Sequence, residues 1–309
     1  MRYLFIINPT AGKGNTQDGV VNDIKNHFKN STAPYEIYFT KCQGDAQVVA
    51  TREAQKGDSL RIFACGGEGT VFEILNGIVG YNNVELGVIP CGSANDFLRY
   101  FKTRKEFFDI ADQISGQAVP TDIIKAGDKY CLNGCSVGMD AMVGRDMILF
   151  KNWPLVSGPL AYNLAIVKTF LNKLGVRIKV SVNDEKPENK DCLFAVITNG
   201  PCYGGGYTAA PKAVPFDNTL DFTLVDTVSR FKVLKFLGPY KKGEHEKFDF
   251  THLRRCNSME FWADTEIPVN LDGEIVNVKH LRFDIVKSGV KFVVPKSLEN
   301  LIKNPEVYL

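Results

Sequence analysis

The chain has 309 residues, 44% hydrophobic and 23% charged, with 37 basic against 35 acidic residues and a formal net charge of +2. This composition excludes a disordered chain, and the near balance of charge leaves no electrostatic footprint for nucleic acid. No apolar run approaches the roughly 20 residues of a membrane span, and the N-terminus enters a strand-like run with no signal-peptide pattern, so a cytoplasmic protein of two domains is expected.

Eight cysteines (Cys42, Cys65, Cys91, Cys131, Cys135, Cys192, Cys202, Cys256) are scattered without CxxC spacing, several inside apolar segments, and read as buried free thiols. The four histidines (His27, His245, His252, His280) form no HExxH, so zinc hydrolysis finds no support.

Taken in order, residues 3–7 (YLFII) form a continuous apolar run, as in a strand buried on both faces of a parallel sheet. The run ends in Asn8-Pro9-Thr10-Ala11-Gly12-Lys13-Gly14. A P-loop would need glycine at Ile7 and Ser or Thr at Gly14, so that motif fails; a turn with Asn8 or Lys13 facing a phosphate, or a plain turn, remains. A helix through Val20, Val21, Ile24 and Phe28, a strand at 36–40 and a helix through Ala46, Val49, Ala50 and Glu53 follow.

Residues 60–64 (LRIFA) predict a short buried strand, and Val71, Ile74, Leu75 and Ile78 recur with helical period. Between them lies Cys65-Gly66-Gly67-Glu68-Gly69-Thr70, a turn almost without side chains. The spacing of Thr70 and Glu73 predicts a capping box with the helix starting at Thr70. Glycines there let a ligand approach the backbone, and the amides and dipole of a helix N-terminus favour an anion. A tight turn with no ligand is the alternative.

A strand at 84–89 then runs into Pro90-Cys91-Gly92-Ser93-Ala94-Asn95-Asp96-Phe97. Ser93 and Asp96 again have capping spacing, and Phe97, Leu98 and Phe101 supply an apolar face. Alternating strands and helices predict that the first ~125 residues form a mostly parallel sheet with helices on both faces, with ligands at the carboxyl ends of the strands. Asn8, Glu68 and residues 93–96 would all lie there. The GxGxxG fingerprint does not fit, because Phe72 stands where the last glycine belongs, and a Rossmann dehydrogenase is disfavoured.

Beyond residue 125 the texture turns to strands at 129–132, 176–182, 192–198, 220–225, 259–263, 266–271 and 281–286, which predicts a β-rich second domain. Two helical insertions interrupt it. Leu160, Leu164, Val167, Leu171 and Leu174 trace one stripe, either a core face or a membrane-contacting face, core packing being the commoner use. Residues 231–240 form the second and run into the charged segment 241–247, read as a solvated surface. Residues 295–309 look like a closing helix.

Several motifs, in order, resemble the diacylglycerol kinase and sphingosine kinase superfamily in its bacterial soluble branch. Asn8-Pro9 with Gly12-Lys13 resembles the opening NP…GK turn, residues 66–70 the GGDGT, and residues 90–97 (PCGSANDF) the P-x-G-[ST]-x-N-D-F segment. Residues 133–141 (NGCSVGMDA) resemble the segment opening the second domain. Gly204-Gly205-Gly206 with Ala210-Pro211 and Phe216-Asp217 resembles GGG…AP…D, and Leu271-Asp272-Gly273-Glu274 the DGE.

The resemblance implies an α/β plus β architecture. An NAD-kinase-like nucleotide-binding domain (1–125, completed by 288–309) would join a β-sandwich-like lipid-substrate domain (126–287), with the active site in the cleft between them. It implies ATP as phosphoryl donor with Mg2+, and a lipid hydroxyl, diacylglycerol-like, as acceptor at the inner face of a membrane. By resemblance Asp272 is the base and Glu274 supports it or binds the cation. A plain Asp-Gly hairpin turn is the alternative for that pair. Asn8, Lys13, Gly66, Gly67, Glu68, Gly69, Thr70, Gly92, Ser93 and Asn95 would hold the nucleotide. Glu68, Asp96 and Asp122 would position the catalytic magnesium, partly through water. Asp217, with carbonyls around Lys212 and Leu220, would hold a structural one, a surface turn being the alternative.

Two departures stand out: Glu68 replaces the family's aspartate in GGDGT, and Phe72 stands where asparagine is usual. An NAD kinase, or a nucleotide- or lipid-binding homologue with weak turnover, remains as an alternative, and a homodimer is left open.

Overall fold

The computed structural model describes all residues except 13–15, 93–94, 152, 154–157, 173 and 304–309. Of the expectations above, those for Lys13 and Ser93 and for the end of the closing helix lie outside the described residues, as does the Leu171 side chain. The chain divides into two compact units: Met1–Ile123 with Val286–Leu309, and Ile124–Ile285.

The first unit contains β1 (Arg2–Ile7), α1 (Thr16–Phe28), β2 (Tyr35–Phe39), α2 (Asp45–Ala54), β3 (Leu60–Cys65), α3 (Glu68–Ile78), β4 (Val84–Ile89), a 3-10 turn (Asp96–Phe101) and α4 (Ile110–Ser115). The chain passes into the second unit within β5 (Gln117–Ala126). β1 pairs in parallel with β2 and β3, and β3 with β4. The apolar runs read from the sequence are the central strands, buried along nearly their whole length as both-face burial requires. Phe5 and Phe63 stack at 4.8 Å in the core, and a Cβ on Gly87 would fall 2.3 Å from the Phe63 ring.

The second unit holds β6 (Lys129–Cys131), β7 (Gly134–Gly138), α5 (Met139–Lys151), α6 (Gly158–Leu171), β8 (Val176–Val182), β9 (Glu188–Thr198), β10 (Leu220–Asp226), α7 (Arg230–Lys241), β11 (Thr251–Cys256) and β12 (Ser258–Leu271). β13 (Glu274–Val294) begins here and returns to the first unit, where Phe292 pairs with Leu86 of β4 and α8 (Glu299–Lys303) follows. The ladders are antiparallel, in the order β11-β10-β9-β7-β12-β13. β9 and β12 each pair with β8 along one stretch and with β7 along another, so long strands pass between layers, a sandwich device.

Four expectations need correction. α3 starts at Glu68 with Gly67 as N-cap, not at Thr70, and no side chain caps it. Glu73, read as the partner of Thr70 in a capping box, instead accepts from the amides of Gly44 (2.8 Å) and Ala46 (3.1 Å), so it caps α2 from a neighbouring helix. The two strands read at 259–263 and 266–271 are one strand whose register shifts between Trp262 and Ile267. The stripe along α6, read as a core or a membrane-contacting face, is only partly a core face: Leu160 is 45% and Val167 55% exposed, while Leu164 is half-buried and Leu174, beyond the helix, packs against the core. α5 escaped the sequence reading because its apolar residues are spread around the helix.

Arg61, inside the apolar β3, is 7% exposed. It pairs with Glu85 (2.7 Å) and donates to the carbonyls of Gln113, Ile114 and Gly116 (2.9, 2.9 and 3.2 Å), satisfying the end of α4. Arg61→Met leaves these acceptors and Glu85 without their donor, and is expected to cost about 3 kcal/mol in urea unfolding.

Candidate active site

In the first unit three strand ends meet. Asn8 follows β1, its amide donating to Cys65 O (3.0 Å) and its Nδ2 to Thr70 Oγ1 (3.4 Å). Its Oδ1 accepts from the Thr10 amide (2.9 Å) and hydroxyl (2.8 Å), fixing the turn. The turn after β3 is held to that after β4: Gly92 N donates to Gly66 O (3.1 Å), and Asn95 Nδ2 to the same carbonyl (3.3 Å). The backbones are so close that a Cβ on Gly92 would lie 2.4 Å from Gly67 Cα, and one on Gly66 would lie 2.3 Å from Thr70 Oγ1. Asn95 takes a left-handed conformation (φ 51°), and Arg104 braces the turn by donating to Pro90 O (2.9 Å) and Gly92 O (2.8 Å).

Gly67 and Gly69 flank Glu68 in the opening of α3, whose first amides have no acceptor within the helix. This cradle fits an anion: side-chain bulk is absent, the helix dipole is aligned and Thr70 contributes a hydroxyl. The fit for magnesium is looser. Glu68 Oε1 accepts from the Asp96 amide (2.9 Å), while Asp96, 1% exposed, accepts from Arg99 (2.8 Å). Asp122 accepts from the Ser288 amide (2.8 Å). Among the described residues no group of three His, Cys, Asp or Glu side chains is arranged to hold an ion, so the expected acidic network is not gathered by side chains alone.

In the second unit Asp272-Gly273 joins β12 to β13 with positive φ at both residues (49° and 97°), the two-residue turn that Asp-Gly favours. The turn and a specific carboxylate environment coexist. Asp272 accepts from the amides of Leu132 (2.5 Å), Asn133 (3.2 Å) and Gly134 (2.7 Å), and its own amide donates to Gly134 O (3.1 Å). Asn199 Nδ2 steadies that loop at Leu132 O (2.9 Å), and Asn133 Nδ2 ties it to Cys202 O (2.9 Å). Glu274 pairs across the turn with Leu271.

Asp217 accepts from the Thr219 amide (3.1 Å) and hydroxyl (2.9 Å) and from Arg255. Lys212 pairs with Glu246 (3.0 Å), and Leu220 opens β10 opposite Cys256. Beside Asp217 is a carboxylate the sequence reading missed. Burial, opposed by the nearby Arg255 and reinforced by Asp217, pushes Asp221 up to about 6, and its Oδ2 is buried with no hydrogen-bond partner among the described residues. Such an orphaned oxygen next to a second carboxylate fits a cation.

A second missed residue is Asp140, at the start of α5. It accepts from the Tyr203 hydroxyl at 2.5 Å, and its Oδ1 is buried without a partner among the described residues. Burial pushes its carboxyl up, and burial followed by the neighbouring Asp140 raises the Tyr203 phenol well above its usual range. Tyr203 is placed by the Gly204-Gly205-Gly206 turn, all three residues at positive φ, through its bridge to Tyr207. A carboxyl raised on folding makes the native state bind more protons, so its contribution to stability is present at low pH and falls as pH rises above the unfolded value. Asp140→Asn should remove that slope: the variant gains thermal stability relative to wild type as pH is raised from about 4 upward, which melting curves across a pH series would read.

Residues 2–126 match the family model described as the diacylglycerol kinase catalytic domain, and residues 133–299 the one described as the YegS C-terminal NAD kinase beta sandwich-like domain. A Bacillus subtilis protein named "Putative lipid kinase YtlR" is 30% identical over 303 residues, spanning 91% of this chain and 95% of its own. The crystal structure of a Bacillus anthracis diacylglycerol kinase superposes with a TM-score of 0.68 at 20% identity, covering 96% of this chain and 98% of that one. Yeast NADH kinase superposes at 0.52 with 10% identity, covering 99% and 87%; these two likenesses speak to the fold. The chain therefore belongs to the lipid kinase family that joins a diacylglycerol kinase catalytic domain to a YegS-type, NAD-kinase-like β-sandwich domain.

Proposed function

We propose that the protein is an ATP-dependent kinase that phosphorylates the hydroxyl of a diacylglycerol-like lipid at the cytoplasmic face of a membrane. The observation that carries this reading is the Asp272 carboxylate, oriented by three backbone amides within the second unit. Three converging amides hold the carboxylate in one orientation, as a general base beside an acceptor hydroxyl requires. The diacylglycerol class comes from the family model matched by residues 2–126.

In this reading Gly66, Gly67, Gly69, Thr70, Gly92 and Asn95, with Asn8, Lys13 and Ser93, hold the phosphates of the nucleotide. Glu68, Asp96 and Asp122 would orient a magnesium ion partly through water, and Asp217, Asp221 and the carbonyls of Lys212 and Leu220 would hold a second, structural one. ATP supplies the γ-phosphoryl group, and the chemistry a bound magnesium would supply is neutralisation of charge on the phosphate oxygens. Asp272 takes the proton of the lipid hydroxyl as that oxygen bonds to the γ-phosphorus and the bond from phosphorus to the β,γ-bridging oxygen breaks. Glu274, two residues on, supports the base.

Incubation with labelled ATP, magnesium and either dispersed diacylglycerol or NAD, followed by solvent extraction, tests the reading: label is expected in the organic phase. Label only in aqueous NADP, or in neither product despite nucleotide binding, would overturn it. Asp272→Asn should lower kcat by about a hundredfold or more while leaving nucleotide affinity within a fewfold; wild-type turnover would remove Asp272 as the base. The Glu68 side chain reaches the Asp96 amide, so Glu68→Asp, though it restores the family's residue, should lower kcat by about ten- to a hundredfold. A faster enzyme would mean the glutamate is a handicap.

A further inference from the structure

Exposed apolar side chains of the second unit are concentrated on its helices. Leu149 of α5, Leu160 and Val167 of α6, and Phe231 and Leu234 of α7 all stand out, the last two 66% and 59% exposed. α7 already has a complete core face: Val233, Phe236 and Tyr240 recur at helical spacing and are buried with Phe194, Tyr203 and Phe250. Phe231 and Leu234, one turn apart, lie on the rest of the helix, where a monomer in water gains nothing from them.

The charge around them has one sign. Residues 227–243 contain Arg230, Lys232, Lys235, Lys241 and Lys242 and no acidic residue, and residues 147–175 contain three lysines, of which Lys168 pairs with Asp146 (3.1 Å), and no acidic residue. The carboxylates just outside α7 are engaged elsewhere: Asp226 with His252 (2.7 Å), Glu244 with Lys247 (3.2 Å) and Glu246 with Lys212 (3.0 Å). Among the described residues no carboxylate pairs with the three lysines of α7 or with Lys242, which follows it. Lys235 Nζ lies 4.4 Å over the Phe231 ring, so ammonium and aromatic rise together from one face. Arg230 fastens the helix start to the end of α6 through Phe170 O (3.0 Å) and Asn172 O (2.8 Å).

We propose that α7 is a membrane-docking helix, with Phe231 and Leu234 entering the acyl boundary of an anionic bilayer while Lys232, Lys235, Lys241 and Lys242 meet its phosphate headgroups. Large apolar side chains bracketed by lysines are the pattern of a helix lying in the interface. A second copy of the chain is a poor occupant, because a two-fold contact through this face would set the same cationic side chains against each other. The inference rests on the lipid-kinase reading for its purpose, since a kinase whose acceptor stays in the bilayer must approach it.

The test is flotation of the full chain with two kinds of vesicle, phosphatidylcholine alone and equal parts phosphatidylcholine and phosphatidylglycerol, neither containing diacylglycerol. Wild type should float with the anionic vesicles only, and less so as salt is raised. Lys232→Gln with Lys235→Gln, and separately Phe231→Ser with Leu234→Ser, should each weaken binding about tenfold or more. Activity on a water-soluble short-chain diacylglycerol should stay at the wild-type level in both variants, which also reports that they are folded. Equal flotation with neutral vesicles, unchanged flotation of either variant, or a change only in sedimentation coefficient, which would mean self-association, would overturn the proposal. Absent activity of the wild type on the soluble lipid would count against the kinase reading and leave the flotation result standing.

Discussion

The first unit depends on two backbones touching. Gly67 and Gly92 end the turns after neighbouring parallel strands, and a side chain on Gly92 would run into Gly67. With bulk removed, the turn after β4 donates to the turn after β3, Asn95 locks onto the same carbonyl, and α3 begins above the junction. The close backbone contact keeps side-chain bulk away from the turn, as suits a place where a charged ligand must lie against amides.

The second unit solves a different problem by similar means. A carboxylate in the turn between β12 and β13 gathers the amides of residues 132–134, and asparagines hold the other side of that loop. In both units backbone groups face the site while a few polar side chains, Asn95 and Arg104 in the first and Asn133 and Asn199 in the second, hold the backbone in place. Removal of the Asp272 carboxylate would leave its amide donors without an acceptor.

Much of this could be read from residue order. The apolar runs at 3–7, 60–64 and 84–89 have one explanation, burial on both faces, and the structure agrees to within a residue or two. The glycine turns and the Asp-Gly hairpin were legible for the same reason: few residue types tolerate those backbones. What was not legible depends on tertiary neighbours. Glu73 has capping spacing to Thr70, yet its carboxylate serves α2, because spacing within a helix says nothing of which helix lies alongside. The α6 stripe obeys the helical period but leaves Leu160 and Val167 exposed, since periodicity identifies a face and not what covers it. Asp140 and Asp221 were passed over because their significance is burial, which a one-dimensional pattern does not carry.

The course of β13 has a consequence for how the protein is made. Its residues 286–294 belong to the first unit and lie beside β4, while residues 124–285 form the second. The second unit is thus an insertion, continuous in sequence, within a first unit that is not. As the chain emerges from the ribosome, the whole insertion is available to fold while the edge of β4 still lacks its neighbour. That edge is a row of unpaired backbone groups of the kind that recruits stray strands. Closing it requires a pairing across about two hundred residues, a separation that slows folding through loop-closure entropy. The pairing of this strand with β4 must therefore wait until residues 286–294 have been made, and a nascent chain stalled before residue 286 would leave that edge of the first unit open.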